Sequence, residues 1–462
     1  AMKMQLVLIL LFYSLGVKAQ IFDRETILSS GTDDSRINII ILPDGYTASE
    51  MTKFISDANE LSNALFEESP YKEYIDFFNV YAIKVPSNES GASHPGTATD
   101  VSEPAHPVST VDNYFGSTFD YYGIHRLLVA TNSSAIYNVL ANNFPNYDQV
   151  LILINTSYYG GSGGPFAATS LHSSAKEIAI HEMGHSFTGL IDEYYAGDSY
   201  SGEGINMTQN TDPYTVKWKN WYGDNGIGIY QHCCGGNSAS WYRPHQNCKM
   251  RYLGEPFCSV CSEGTIEEIH SRVSHVLNFS PETTEPLDFV NGMTFQINKI
   301  QTTINSVKTN WFLNGSIIAE DVNQLDLYDT NLNPDINTLT AVTEDLNDFL
   351  RLDNHDSSHI HTVSWQVDAS SLSITSSGEK RFQLQLSPNP ANEEVSLTIN
   401  TKTFDDYRIK IYDLNGKLIY SKKKIATLNP HIIAVNKWSP GSYVIKIILD
   451  DNTHFNKQLL IK

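Results

Sequence analysis

The run His181-Glu182-Met183-Gly184-His185 constrains this chain more than any other feature, because its three functional side chains converge only if the segment is helical. Residues four apart on a helix share a face, so the two imidazoles can grip one Zn2+ ion. Glu182 then projects beside the metal, where a carboxylate can take a proton from water held there. The lead-in Ala175-Lys176-Glu177-Ile178-Ala179-Ile180 favours helix and contains neither Pro nor Gly. His181 and His185 supply two of the three protein ligands that a hydrolytic zinc needs, and Glu182 is the expected general base.

The third ligand is less direct. The helix is expected to end near Gly189, since glycine readily takes the left-handed conformation that turns a chain back. The spacing resembles that of metzincins, in which a glycine after the second His precedes a third ligand by three residues. Here Gly189 and Asp192 keep that interval, but one residue late: Thr188 stands at the usual glycine and Ile191 at the usual ligand. Asp192 is the favoured ligand, with Glu193, His232 and His245 as alternatives.

The longer stretch HEMGHSFTGLIDEYY resembles the IgA-peptidase-like zinc metallopeptidase family. Ile40-Ile41-Leu42-Pro43-Asp44-Gly45-Tyr46-Thr47, Asn79-Val80-Tyr81, Ser87-Asn88-Glu89-Ser90-Gly91-Ala92 and Asn155-Thr156-Ser157-Tyr158-Tyr159-Gly160-Gly161-Ser162-Gly163 are similar to its upstream blocks. Asn247-Cys248-Lys249-Met250-Arg251 and Phe257-Cys258-Ser259-Val260-Cys261 are similar to its downstream end. The resemblance spans roughly residues 30–270 and implies a metzincin-like endopeptidase. It also implies that Met250 lies beneath the metal and offers Tyr252 as an oxyanion stabiliser, against the alternative of a packed tyrosine. Asp44 and Glu193 are expected to shape the site rather than to react.

The remaining chain sets the frame. A basic start, an apolar run over residues 6–15 and Val17-Lys18-Ala19 read as a secretory signal peptide over residues 1–19. No later segment is long enough to span a membrane. All five cysteines lie between Cys233 and Cys261, which in an exported protein suggests disulfides in one loop-rich region. The formal net charge of −21 argues against nucleic acid as a partner. Strands are expected over residues 36–42, 77–83, 124–130 and 149–154, a helix over 47–66 and a loop over 86–107. This alternation implies a mixed α/β catalytic domain over residues 20–282. The run Gly160-Gly161-Ser162-Gly163-Gly164 is either a flexible connection or backbone that approaches a bound peptide closely.

From about residue 283 to 375 the chain turns to short alternating strands, with Asn310-Trp311-Phe312-Leu313-Asn314-Gly315 entering a hairpin turn. These resemble an immunoglobulin-like β-sandwich. His355, His359 and His361 are expected on a surface loop rather than at a metal.

The last segment, from Leu384, holds eleven Lys/Arg against seven Asp/Glu, leaving the preceding chain at −25. Physical reading gives a small β-sandwich of about seven strands. Its landmarks Leu386-Ser387-Pro388-Asn389-Pro390-Ala391, Ile409-Lys410-Ile411-Tyr412-Asp413-Leu414-Asn415-Gly416-Lys417 and Trp438-Ser439-Pro440-Gly441-Ser442-Tyr443 resemble the C-terminal sorting domain of the type IX secretion system of Bacteroidetes-type bacteria. The expected whole is multidomain: a zinc endopeptidase acting on extracellular proteins or glycoproteins, exported by the type IX machinery to the medium or cell surface. A surface adhesin or glycan-binding protein with a non-catalytic zinc domain is the alternative.

Overall fold

An eight-residue run buried at every position, Ile37–Asp44, forms the central strand of the main sheet. A strand covered on both faces must be apolar on both, so its sequence is a near-continuous aliphatic run rather than an alternating one. The computed structural model describes residues 20–197, 201–283, 285–353, 359–370, 382–401, 406–425, 430–449 and 454–462. The expected signal peptide, residues 1–19, and His355 lie outside them.

Among the described residues, eight strands precede the histidine motif: β1 (Arg24–Leu28), β2 (Ile37–Asp44), β3 (Phe78–Ile83), β4 (Ser117–Thr118), β5 (Val129–Ala130), β6 (Gln149–Ile154), β7 (Gly161–Ser162) and β8 (Ala167–Thr169). Six of them form one mixed sheet in the order β1-β3-β2-β6-β8-β7, while β4 and β5 pair apart. The pairs β2–β3, β2–β6 and β6–β8 are parallel. Successive residues of β2 face opposite ways. Ile37, Ile39 and Ile41 pack with α1 (Met51–Glu67) and α3 (Ala175–Met183), whereas Ile40 and Leu42 pack with α2 (Ser133–Asn143). The sheet is thus sandwiched between helices, and the histidine helix lies on one face of it.

Helix α1 buries Phe54, Ala58, Leu61 and Leu65, the residues that share a face at helical spacing. A capping box between Thr47 and Glu50 starts the turn that leads into it. The strand expected over residues 124–130 is a ladder only at Val129–Ala130. Upstream, Asp120 and Tyr122 take left-handed backbone (φ 60° and 53°), which no ladder accommodates. Helices α2 and α4 (Ser259–Arg272) are not evident in the sequence. α4 buries Ser262, Glu263, Gly264 and Thr265 as well as Val260, Ile266 and Ile269, so polar residues on its inward side blur the apolar period.

The chain is multidomain and mostly β, with few helices. Contacts divide it into two units. The first holds the main sheet together with the strands of residues 292–327 and 338–366. There Trp311 and Trp365 stack at 5.8 Å between a three-stranded and a larger sheet, with Phe295 5.1 Å from Trp365. Asn314 and Gly315, both at positive φ, make the expected hairpin turn. His359 departs from its expected surface loop: it is fully buried and bonds Glu267, because the strand that begins at Ile360 carries it inward onto α4.

The second unit ends the chain. Among its described residues, seven strands between Phe382 and Ile461 form a three-stranded and a four-stranded sheet. Val395, Leu397 and Ile433 of one sheet share a core with Ile409, Ile445 and Leu459 of the other. Among the described residues, no helix is long and apolar enough to cross a membrane.

Asp44, at the end of β2, is fully buried and ties the sheet to the loop beyond it. Its carboxylate accepts from Phe115 N–H (2.9 Å), Ser117 N–H (3.0 Å) and Ser87 Oγ–H (3.2 Å). Burial outweighs these bonds and raises its pKa above the ordinary value. Asp44→Ala strands buried amide donors and is expected to lose about 2–4 kcal/mol of stability. Denaturant titration checks this, and an unchanged midpoint would contradict the anchoring role.

Candidate metal centre

Helix α3 ends at Met183, and the chain continues through a wide π-type turn, Gly184–Thr188, to Gly189 in left-handed conformation (φ 75°). Gly189 N–H then donates to His185 O (3.0 Å) and Leu190 N–H to Gly184 O (2.9 Å). A π turn holds one residue more than an α turn. It therefore absorbs the extra residue that delays Gly189 and Asp192 in the sequence, and the reversed chain still returns Asp192 to the imidazoles.

The three side chains converge closely. Asp192 Oδ1 lies 3.0 Å from His181 Nε2 and 3.1 Å from His185 Nε2, and the two nitrogens are 3.2 Å apart. Each ring is oriented from behind: His181 Nδ1–H donates to Lys249 O (2.9 Å) and His185 Nδ1–H to Leu190 O (2.7 Å). Both inward nitrogens thus present lone pairs. Three mutually repelling acceptors at such distances fit a shared cation. Ligands bound at about 2.0–2.1 Å around a tetrahedral ion stand roughly 3.3 Å apart. His181, His185 and Asp192 form one of the metal-compatible groups among the described residues.

Without a metal, protons take its place. Burial opposes charge on His185, but the hydrogen bond and charge of Asp192, with the charge of Glu182, raise its pKa to about 9. Asp192 is held well below the usual carboxylate range: burial opposes this, and the bonds from His181 and His185 outweigh it. Glu182 is shifted up, by burial first and by the charge of Asp192, against the pull of both histidines. A raised carboxyl pKa brings a base nearer to neutral poise.

These groups open into a cleft of 740 Å³. The glycine run forms one wall, and β7 makes Gly161 and Ser162 part of the sheet rather than a free connection. A Cβ on Gly163 would stand 2.6 Å from Glu182 Oε2 and 3.3 Å from His185 Cβ. Glycine therefore leaves room for the carboxylate. Arg126 and Tyr194 supply polar groups to the other walls. Tyr194 was within reach of sequence reasoning, since it closes the Asp-Glu-Tyr run; nothing in the sequence marks Arg126.

The other sequence candidates fall elsewhere. Met250 is fully buried, and its Sδ would meet a Cβ on Gly184 at 2.7 Å, so it lies against the turn between the two histidines. Tyr252 is 47% exposed, lies under Arg251 and does not line the cleft. Glu193 points away from the imidazoles into a buried group with Cys248, Cys258 and Cys261. His232 is buried outside the triad, and His245 Nδ1 bonds Asn247 O (2.6 Å).

The expected disulfides are not formed. An S–S bond needs about 2.05 Å, whereas Cys248 and Cys261 have sulfurs 3.6 Å apart and Cys233 and Cys234 2.7 Å apart.

Residues 26–229 match the family model described as IgA Peptidase M64, and residues 385–462 match that described as Secretion system C-terminal sorting domain. No curated protein matches the chain. Similar solved structures include dimeric latent PorU from Porphyromonas gingivalis, at 13% identity over 40% of this chain and 20% of that one, TM-score 0.16. They also include fibronectin(III)-like modules of Clostridium thermocellum CbhA, at 12% identity over 39% of this chain and 90% of that one, TM-score 0.14. Parabacteroides merdae β-glucuronidase matches at 9% identity over 48% of this chain and 28% of that one, TM-score 0.15. The chain spans less than a third of PorU and of the glucuronidase, and likenesses at such TM-scores carry no argument. The two family matches identify an N-terminal peptidase domain of the M64 family joined to a type IX sorting tail, which marks a secreted or cell-surface protein of Bacteroidetes.

Proposed function

We propose that the protein is a zinc endopeptidase that hydrolyses extracellular proteins or glycoproteins. The observation that carries this reading is Glu182: a half-buried carboxylate lining the same cleft as His181, His185 and Asp192, with a glycine opposite to leave it space. A binding scaffold has use for the ligands but none for a poised base. A family of metallopeptidases supports the same reading, as does a ligand set of two imidazoles and one carboxylate, which suits zinc with an open position.

His181, His185 and Asp192 would hold the ion, which when bound supplies Lewis-acid activation of water and of the scissile carbonyl. Glu182 takes the proton of the attacking water on its carboxylate and returns it to the leaving amine nitrogen. Its raised pKa favours both halves of that exchange. The wall at Gly161–Ser162 and Gly163 lets substrate backbone lie close to Glu182. For the oxyanion, Tyr194 and Arg126 face the cleft, whereas the exposed Tyr252 would have to swing in.

The metzincin-like character of the domain is part of this proposal, supported by the left-handed Gly189 and by Met250 against Gly184. So is a domain plan of signal peptide (1–19), peptidase (20–282), immunoglobulin-like β-sandwich (283–375) and sorting domain (384–462). The tail would engage the type IX machinery for export.

Casein or mixed-peptide cleavage by the zinc-loaded protein, abolished by a chelator, is the expected outcome; no cleavage by fully loaded protein would overturn the proposal. Glu182→Ala should keep its zinc and lose activity by about 10³-fold or more. Gly163→Ala displaces the Glu182 carboxylate, so kcat/KM should fall about 10²-fold with metal content unchanged.

The pKa of His185 adds a pH dependence. In the metal-free protein its ring is protonated below about 9, and zinc must displace that proton. Zinc affinity should therefore rise about tenfold per pH unit from pH 6 to 8 and level off above 9, as competition titration can read. Asp192→Ala removes both a ligand and the cause of the raised pKa, so zinc occupancy should fall and the pH dependence flatten.

A further inference from the structure

Residues 84–128 join β3 to β5 with one two-residue strand and no α-helix. So long an irregular segment needs a source of order other than backbone ladders. Four side chains within it meet at one point: His94, Glu103, Asp120 and His125.

Their arrangement repeats that of the histidine motif. His94 is fully buried, and its Nδ1–H faces Pro107 O at 3.2 Å, so Nε2 bears the lone pair. That is the same carbonyl-backed orientation that Lys249 and Leu190 impose on His181 and His185. His94 Nε2 lies 3.2 Å from Glu103 Oε2 and 3.5 Å from Asp120 Oδ2. His125 Nδ1 lies 2.9 Å from Glu103 Oε1 and 3.1 Å from Asp120 Oδ1. These separations bracket the 3.0–3.2 Å found among His181, His185 and Asp192. They also bracket the roughly 3.3 Å expected between ligand atoms around tetrahedral zinc.

A network of protonated histidines and carboxylates is the competing explanation, and His94 argues against it. Such a network needs Nε2–H to donate to a carboxylate, yet the buried Nε2 has no hydrogen-bond partner despite the nearby oxygens. The carboxylates are themselves held in place, Asp120 Oδ2 by Thr97 N–H (2.7 Å) and Glu103 Oε2 by Ala105 N–H (2.9 Å). The ring of His106 lies 3.6 Å from that of His94 with neither nitrogen hydrogen-bonded, and it groups with His94 and His125 but not with the two carboxylates.

We propose that His94, Glu103, Asp120 and His125 bind a divalent transition-metal ion, zinc by ligand type, at a structural site that shares no residue with the His181 group. Two neutral imidazoles and two carboxylates balance a 2+ charge, and four protein ligands close the coordination shell. The site fastens the cleft. Tyr122, Ile124 and Arg126, which line it, are interleaved with or adjacent to the ligands Asp120 and His125.

Anomalous diffraction at the zinc edge from the zinc-incubated full chain should give two peaks, one among His181, His185 and Asp192 and one among these four side chains. A peak at His181 without one at His94 overturns the proposal, and a site filled by Ca2+ but not by Zn2+ overturns the assignment to zinc. In solution, the double variant Glu103→Gln, Asp120→Asn should hold one zinc equivalent fewer than wild type by elemental analysis. Its KM for peptides should rise several-fold, with kcat less affected. Equal zinc in the two proteins also overturns the proposal. If the variant does not fold, the diffraction measurement on the wild type decides alone.

Discussion

Three electron-pair donors held within 3.2 Å of one another, on His181, His185 and Asp192, are the constraint around which the peptidase part is built. Without a cation or a shared proton their lone pairs repel, so the surrounding structure must pin them. One short segment does most of this. Lys249 O orients His181, Met250 O accepts from Glu193 N–H (2.8 Å) and so fixes the backbone beside Asp192, and the Met250 side chain fills the space over Gly184. Lys249 is itself buried, a position a lysine holds only when paired; its ammonium meets Glu177 at 2.6 Å, one helical turn before His181. Helix, turn and floor are therefore fastened at both ends of the motif.

The floor in turn depends on the layers behind it. The central sheet fixes α3 through Ala179, Ile180 and Met183, and Asp44 at the end of β2 secures the base of the loop that supplies the opposite cleft wall. Within the same unit, Asp345 accepts from Tyr74 Oη–H (2.5 Å) and His270 Nε2–H (2.8 Å), joining a later strand to α4 and to the approach of β3. The bonds of His270 hold the carboxyl of Asp345 low despite its burial. A buried charge of this kind is stable only with its partners present.

What the sequence made legible follows from how local each signal is. The spacing of His181 and His185, the left-handed Gly189, the aliphatic run of β2 and the Asn314-Gly315 turn are each set by a few neighbouring residues, and each recurs in the fold. The seven C-terminal strands are likewise local alternations. Less legible were features decided by distant packing. Helix α4 turns Glu263 and Thr265 inward because Trp221 Nε1–H and the Arg351 backbone N–H donate to Glu263 and the Thr188 hydroxyl bonds that of Thr265, and none of these partners is near in sequence. The cysteines lie close together along the chain, but proximity does not set sulfur geometry, and their sulfurs stay beyond bonding distance. His94, Glu103, Asp120 and His125 span more than thirty residues without a recognisable interval. Arg126 reaches the cleft for the same non-local reason.

Three carboxyl groups within twelve residues of the motif show how surroundings, rather than residue type, assign roles. Asp192 sits between two imidazoles, and their hydrogen bonds keep it ionised far below its ordinary pKa, as the proposed ligand role requires. Glu182 has charges nearby but no hydrogen bond among the influences on it, so burial moves it upward, as suits the base role proposed for it. Glu193, next in sequence to Asp192, faces the opposite way into the core, where burial and the neighbouring Cys248 raise it furthest. Its Oε1 accepts from Asn206 Nδ2–H (2.9 Å), and Asn206 also donates to Ile191 O. One alternation of the backbone thus separates the side chain that meets the imidazoles from the one that supports the core. The Asp-Glu pair serves the site on two levels, with Asp192 meeting the imidazoles and Glu193 bracing the chain that carries it.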